Sequence, residues 1–153
     1  MGISQRTASL SDAAALLTWR NDPSVRKYAQ HSEPISIDEH QYWLKDRLQR
    51  TQLEPFFLFE DDSRVIGMSR LDMHSQSLDK FEISIFIYPS EHSKGFGTRI
   101  LTMTCESFFG QYPEKLIIAK VHRFNHVSQK LFTSAGFELI TISEDFLDYE
   151  KKY

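Results

Sequence analysis

The sequence predicts an α/β domain: a mixed sheet with helices on its faces. Three observations carry this. Apolar and polar residues alternate in "RVIGMSRLDM" and "DKFEISIFIYP", the period of two that marks strands. They recur at helical spacing in "GTRILTMTCESFFGQ", where Ile100, Leu101, Thr104 and Phe108 fall on one side. The order of segments, β-α-α-β-β-β-α-β-α-β-β, sets an antiparallel meander ahead of a β-α-β unit, which mixes strand directions in one sheet.

"ISQRTA" reads as a first strand. "SLSDAAALLTWRN" is a helix: Ser9 or Ser11 can cap it, alanines and leucines fill it, and Asp22-Pro23 ends it. "PSVRKYA" adds a short helical segment with Pro23 in its first turn. Ser36-Ile37-Asp38-Glu39 is a capping box ahead of "HQYWLKDRLQR", whose Tyr42, Trp43, Asp46, Arg47 and Arg50 leave only a narrow apolar face. "PFFLFED", the turn "DDS" and "RVIGMSRLDM" form a hairpin, and "DKFEISIFIYP" is a third strand ending at Pro89. "KLIIAKVH" is a strand, "HVSQKLFTSAG" a short helix closed by Gly136, and "FELITI" and "FLDYEKK" a final pair. No repeat or linker interrupts the chain, so residues 1–153 are read as one domain.

The totals exclude several classes. With 153 residues the chain is long enough to bury about two thirds of its unfolded surface. The formal net charge of -3 gives no global attraction to nucleic acid or to an anionic membrane, so an anionic ligand has to be held locally. Cys105 is the only cysteine, which excludes an internal disulfide, fits a reducing compartment and reads as a buried structural thiol. "MGISQRTASL" lacks the apolar core of a signal peptide, and Arg6 stands where a myristoylation signal needs Ser or Thr. No apolar run approaches the roughly 20 residues of a membrane span. The expectation is a cytoplasmic protein.

"EHSKGFGTRIL" lies between the third-strand segment and a helix. It is no P-loop, because Lys94 precedes the glycines, and no dinucleotide fingerprint, because Ile100 stands where a third glycine belongs. What remains is a strand, a glycine loop and a helix whose first amides point outward. Such a terminus favours anions, and missing side chains at Gly95 and Gly97 let oxygens reach the backbone. Lys94 and Arg99 add charge. A plain structural turn explains the same glycines.

Three pieces of sequence, in order, extend the reading: His92-Ser93-Lys94-Gly95-Phe96-Gly97, then Asn125-His126-Val127-Ser128, then Gly136-Phe137. Their order, spacing and strand-helix context resemble the GNAT N-acetyltransferases over most of the chain. The family signature is Gln/Arg-x-x-Gly-x-Gly/Ala, an Asn-x-x-Ser/Ala helix and a terminal Gly-Phe. The resemblance implies a mostly antiparallel sheet of six to seven strands with helices on both faces, split between strands 4 and 5. It implies acetyl-coenzyme A as cofactor, with its pyrophosphate on the amides of His92, Ser93, Lys94, Gly95, Phe96, Gly97 and Thr98. The pantetheine arm would pair with the backbone of Ile85, Phe86 and Ile87, and Asn125 and Ser128 would line its other side. His92 departs from the usual Gln or Arg; its main contribution there is its backbone N–H.

An amine attacks a thioester only when unprotonated, so a base must take its proton. In "FEISIFIY", Glu82, Ser84, Phe86 and Tyr88 share one face of the strand. Carboxylates are depleted in strand interiors, and a covered Glu82 has its pKa raised toward a useful range. Glu82 is therefore the first candidate base, and the family often carries a Glu on this strand; a solvated carboxylate on an uncovered sheet is the alternative. His122, at a strand end, is the second candidate for base or relay. His122 and His126 lack the Glu of a zincin, and no metal is expected. Many family members have a tyrosine where this chain has Phe132, so the general acid is unassigned, with Tyr88 one candidate; Phe132 reads as packing against the cofactor arm.

Acceptor choice in the family resides in the first two helices and their loop. "WRND" followed by a "H-x-x-W" helix resembles the subgroup acting on amino sugars on nucleotide carriers, and also the ribosomal-protein alanine acetyltransferases. Arg20 and Arg26 can pair with a carrier's pyrophosphate, Asn21 and His40 with sugar hydroxyls, and Trp43 can stack on a ring; Ser84 lies on the same strand face as Glu82. Each residue also suits a structural role. The acceptor is expected to be a small-molecule amine, an amino sugar on a nucleotide carrier in surface-glycan or flagellin-glycan biosynthesis, with protein N-termini next and small amines such as polyamines or antibiotics after them; a non-catalytic acyl-coenzyme A-binding module stays open. The aromatic tail "FLDYEKKY" suits a homodimer contact.

Overall fold

The alternating segments pair in sequence order to form one half of a seven-stranded sheet, in a computed structural model that describes residues 2–153. The strands are β1 (Ile3–Thr7), β2 (Phe56–Asp61), β3 (Arg64–His74), β4 (Ser77–Ile87), β5 (Leu116–His122), β6 (Glu138–Ile142) and β7 (Phe146–Lys151). The helices are α1 (Ala13–Asn21), α2 (Pro23–Arg26), α3 (Ile37–Arg47), α4 (Phe96–Gln111) and α5 (His126–Ser134). The strand order is β1-β2-β3-β4-β5-β7-β6, antiparallel everywhere except between β4 and β5. This is the mixed, mostly antiparallel sheet expected.

Local chemistry accounts for the ends of these elements. Ser36 accepts the Glu39 N–H at 3.2 Å, the N-cap read from the capping box. At the start of α1 a turn of 3-10 helix, Leu10–Asp12, intervenes, and the Ser9 N–H donates to the Asp12 carboxylate at 2.8 Å. The Arg6 guanidinium grips the same carboxylate through two nitrogens, at 2.8 and 2.9 Å, and holds it below the usual carboxylate range. Asp62 and Ser63 both have positive φ, as a two-residue hairpin requires to match the twist of β2 and β3.

Each helix layer covers a different face. Leu71, Phe81, Ile83, Ile117, Ala119 and Val121 pack under α4 and α5, through Leu101, Cys105, Phe108 and Phe132. Burial pushes the Cys105 thiol up to about 11, which leaves it an inert core residue. On the opposite face Leu16, Trp19 and Leu44 from α1 and α3 cover Phe56 and Leu58. That cover stops short: beyond it the pleat brings Asp72, Glu82, Lys120, Asp148 and Glu150 to the same face.

The tail does not form the sheet edge. β7 inserts between β5 and β6, so both its edges are hydrogen-bonded, and Tyr149 is 6 % exposed in the core. The free edge is β6, whose five residues are all exposed. β7 is therefore not an open strand, and of the tail Tyr153 stays exposed.

Candidate functional site

β4 and β5 pair only from Lys80 to Glu82 against Leu116 to Ile118. Beyond that rung β4 follows β3 to Ile87, while β5 follows β7 to His122, so the two strands part as a wedge. The register decides which amides face the opening. The Tyr88 N–H donates to the Ile66 carbonyl at 2.8 Å. The Phe86 carbonyl also turns toward β3, so close that a Cβ on Gly67 would meet it at 2.5 Å; only glycine fits there. Alternation along an antiparallel ladder then directs the N–H and C=O of Ile85 and Ile87 into the wedge. Phe86 differs from its expected role: its backbone serves β3, and its ring lies 5.4 Å from that of Trp19.

The glycine loop closes the wide end of the wedge. Ser93 (φ +66°) and Gly95 (φ +79°) are left-handed and turn the chain into α4, which begins at Phe96 with no side-chain cap. The first-turn N–H groups of Phe96, Gly97 and Thr98 are therefore unclaimed by any cap, as an anion site requires. A Cβ on Gly97 would stand 3.7 Å from Leu131 and 3.9 Å from Ile87, so this residue faces the space between α5 and the end of β4. The Phe96 ring is buried with Phe59, Ile66 and Ile100, which leaves only its main chain for the site. Lys94 is tied back to Glu91 at 2.8 Å, and Arg64 binds the same carboxylate at 2.5 Å. The two cations, Lys94 first, hold Glu91 below the usual carboxylate range. The His92 imidazole meets the Ile87 carbonyl at 2.9 Å.

α5 forms the other wall. Asn125 is its N-cap, with Oδ1 accepting the Ser128 N–H at 3.2 Å. Gln129 donates to the carbonyls of His122 and Arg123, fastening α5 to the end of β5. Phe132 is 4 % exposed and its ring lies 5.0 Å from Phe137 inside the core, so it supports the wall from behind instead of lining it. Sequence reasoning passes over Leu131, the residue that faces Gly97; its one-residue offset from Phe132 on the helix was the available signal.

On the open polar face, Glu82 is half-buried and has neither ion pair nor side-chain hydrogen bond among the described residues. Burial raises its pKa above the ordinary carboxylate value; Asp72 pushes the same way, while Lys120, His74 and Arg70 oppose. Asp72 is neutralised by Arg47 at 2.7 Å and Arg70 at 2.9 Å. Ser84 lies one pleat along from Glu82, opposite Arg70.

Two other expected residues stand elsewhere. Tyr88 is six residues along the strand from Glu82, about 20 Å at strand spacing, with its ring edge-on to Trp19 at 5.4 Å. One reacting centre cannot touch both, which removes Tyr88 as the acid partner of Glu82. At His122 the Nδ1 accepts the Phe124 N–H at 3.2 Å, and the rings of Tyr28, Phe124 and Phe146 surround it. Its Nδ1 is engaged by the fold itself, and the three rings pack the imidazole at the end of β5.

The loop between α1 and α3 carries the acceptor candidates. The Asn21 amide donates to and accepts from the Ile35 main chain, both at 2.8 Å, and so clasps the loop instead of facing a sugar. His40 is 3 % exposed with Nδ1 unpartnered; burial, then Arg70 and Arg20, hold its pKa down, so it is a neutral core imidazole out of reach of a hydroxyl. Trp43 has the Arg70 guanidinium over its ring at 4.9 Å. Arg20 donates through Nη2 to the His31 carbonyl at 2.9 Å while its Nη1 is buried and unpartnered. Arg26 donates to the carbonyls of Asn21 and Ser32.

A depression of about 700 Å³ lies away from the wedge, at the far end of α4, and its lining of Thr7, Thr51, Gln52, Leu53, Pro55, Phe57, Gln111 and Tyr112 holds no ionised side chain. Among the described residues no three His, Cys, Asp or Glu side chains are placed to hold a metal ion, and no helix is long and apolar enough to cross a membrane.

Comparison with known proteins bears on this arrangement. A family model described as an acetyltransferase (GNAT) domain matches residues 5–138. No curated relative matches the chain by sequence. Among solved structures, a ribosomal-protein-alanine N-acetyltransferase from Brucella melitensis superimposes with a TM-score of 0.83 at 19% identity, covering 98% of this chain and 99% of that one. A putative acetyltransferase from Salmonella typhimurium, solved with its cofactor acetyl-coenzyme A, gives 0.80 at 18% identity over 99% and 94%. A spermidine N-acetyltransferase from Vibrio cholerae, in complex with coenzyme A and spermine, gives 0.82 at 19% identity over 97% and 94%.

Proposed function

The chain belongs to the GNAT acetyltransferases, and on that premise we propose that it acetylates a primary amine with acetyl-coenzyme A, the amine being that of an amino sugar on a nucleotide carrier. The observation that carries the reaction is the wedge: β5 leaves β4 after Ile118, and the main chain of Ile85 and Ile87 turns into the gap ahead of an uncapped α4. The residues present fit the coenzyme. The main chain of Ile85 and the Ile87 N–H offer strand-like pairing to its extended arm, the Ile87 carbonyl being held by His92, and the amides of residues 93–98 offer donors to its pyrophosphate. Gly97 leaves room that a longer side chain would fill.

When bound, the coenzyme supplies a thioester carbonyl that an amine can attack. Glu82 is the base that takes the amine's proton, directly or through water, since it has no ion pair and is raised by burial. With the coenzyme bound, acyl transfer to that nitrogen would exchange the thioester's carbon–sulfur bond for a nitrogen–carbon bond and release a thiolate. Its modest basicity makes a dedicated acid dispensable, consistent with Phe132 at the position where the family often has tyrosine. Ser84, next along the same face, is placed to contact the acceptor, and Asn125 and Ser128 shape the opposite wall.

The acceptor reading is supported by charge. Arg20 and Arg26 make no ion pair among the described residues, and Arg20 keeps an unpartnered N–H. In a chain of net charge -3, two guanidiniums on this loop that bond to carbonyl oxygens and to no carboxylate favour an acceptor that carries phosphate and disfavour a polyamine. Asn21 acts here by holding the loop, while His40 packs on Trp43 and Trp43 on Phe56 and Arg70.

Thermal unfolding with and without acetyl-coenzyme A tests the premise. Ligand at a hundred times its Kd adds about 2.7 kcal/mol, an upward shift of several degrees; no shift at millimolar ligand sinks the reading. Thiol release with nucleotide-linked amino sugars, spermidine and alanine-initiated peptides then ranks the acceptors, and preference for spermidine or a peptide overturns the amino-sugar assignment.

A further inference from the structure

We propose that His92 is a positioning residue of this site, acting through its side chain: the imidazole ties the glycine loop to the open end of β4. The inference rests on the coenzyme reading above. The Ile87 carbonyl turns into the wedge, where β5 is no longer present to donate to it. Five residues later, the His92 Nε2 stands 2.9 Å from that carbonyl. A carbonyl only accepts, so Nε2 carries the proton and donates. The bond closes a ring around the turn Pro89–Glu91 and fixes His92 against the strand it has just left.

Two main-chain bonds hold the turn before the loop, from the Glu91 N–H to the Tyr88 carbonyl at 2.8 Å and from the His92 N–H to the Pro89 carbonyl at 3.3 Å, and neither reaches past His92. Ser93 and Lys94 make no main-chain hydrogen bond among the described residues, and Ser93 and Gly95 are both left-handed. The other tie, Lys94 to Glu91 to Arg64, runs to the hairpin end of β3. Among the described residues the His92 tie is the side-chain hydrogen bond that joins the loop to the wedge wall itself, beside the apolar packing of the Phe96 cluster with Ile85 and Ile87. It therefore sets the distance between two groups of donors, the main chain of Ile85 and Ile87 and the amides of residues 93–98. A ligand that spans both groups feels that distance, whereas a ligand that touches only the strand does not.

The test compares acetyl-coenzyme A with acetyl-pantetheine, which lacks the pyrophosphate and nucleotide. His92→Ala is expected to raise the KM for acetyl-coenzyme A about fivefold to tenfold, the effect of one hydrogen bond, with kcat, melting temperature and the kcat/KM for acetyl-pantetheine unchanged. His92→Gln, whose amide can donate to the same carbonyl, is expected to restore most of the loss. An unchanged KM in His92→Ala, an equal loss with both donors, or a Gln variant no better than Ala overturns the proposal. Wild-type protein that releases thiol from neither donor and binds no coenzyme A overturns the coenzyme reading, and this inference with it.

Discussion

Asp72 and Glu82 face each other across β3 and β4, and only Asp72 is neutralised. Arg47 and Arg70 approach the Asp72 carboxylate at 2.7 and 2.9 Å, while Glu82 makes no ion pair among the described residues and feels Lys120, His74 and Arg70 only at longer range. Two carboxylates directly opposite on a sheet repel. Here the pairing of one leaves the other at the narrow end of the wedge, raised by burial and open to take a proton.

Glu82→Gln is expected to lower kcat by about 100-fold to 10,000-fold, the usual contribution of a positioned base, with the KM for acetyl-coenzyme A little changed. The sign of the pH effect follows from burial. Activity needs the carboxylate ionised, so it falls as pH drops through a pKa that lies above the ordinary carboxylate value. The acidic limb should vanish in Glu82→Gln; a pH profile that keeps it assigns the limb to another group.

Gly97 separates the size of a side chain from its presence. Gly97→Ala adds a Cβ at ordinary contact distance from Leu131 and should bind coenzyme A within a few-fold of wild type. Gly97→Glu fills the space between Ile87 and Leu131 and sets a negative charge against phosphate, so calorimetric titration should find no binding. Equal affinity in both variants would remove the loop from the site.

Arg47 is 1 % exposed and joins α3 to the sheet, donating to Asp72, to the Glu54 carbonyl at 2.7 Å and to the Leu71 carbonyl at 3.0 Å. Arg47→Ala strands those buried acceptors and is expected to cost about 3 kcal/mol, a fall of roughly 10 °C in melting temperature. Since Asp72 then loses one of its two cations, the acidic limb should also move upward in pH. Loss of stability without that movement would mean that Asp72 does not influence Glu82.

His40 makes stability depend on pH in a defined direction. Its folded pKa is held down by burial, Arg70 and Arg20, whereas the unfolded chain binds a proton near pH 6.5. The unfolded state therefore takes up more protons below that point, and stability declines as pH falls from about 6.5 toward the depressed folded value. Urea unfolding at pH 7.5 and 5.5 should show this decline in wild type and a smaller one in His40→Phe. An equal decline in both assigns it to other groups.

Much of this molecule was legible along the chain because the relevant forces are local. Alternation in "FEISIFIY" determined that Glu82 and Ser84 share a face, the capping box at Ser36 determined where α3 starts, and Gly95 determined a turn that leaves the α4 amides free. Each depends on neighbours within a few residues. Partner choice does not. Whether β5 stays with β4 or leaves it after Ile118 is settled by β7, which arrives from the far end of the sequence and pairs with β5 instead. That non-local competition opens the wedge and turns Ile85 and Ile87 into it. Packing likewise set the Tyr88 ring against Trp19, gave the His122 Nδ1 to the Phe124 amide, and committed Asn21 to Ile35. The sequence by itself determined which residues could do chemistry; the tertiary structure decided which of them are free to do it, because a polar group already paired in the fold has nothing left to offer a ligand.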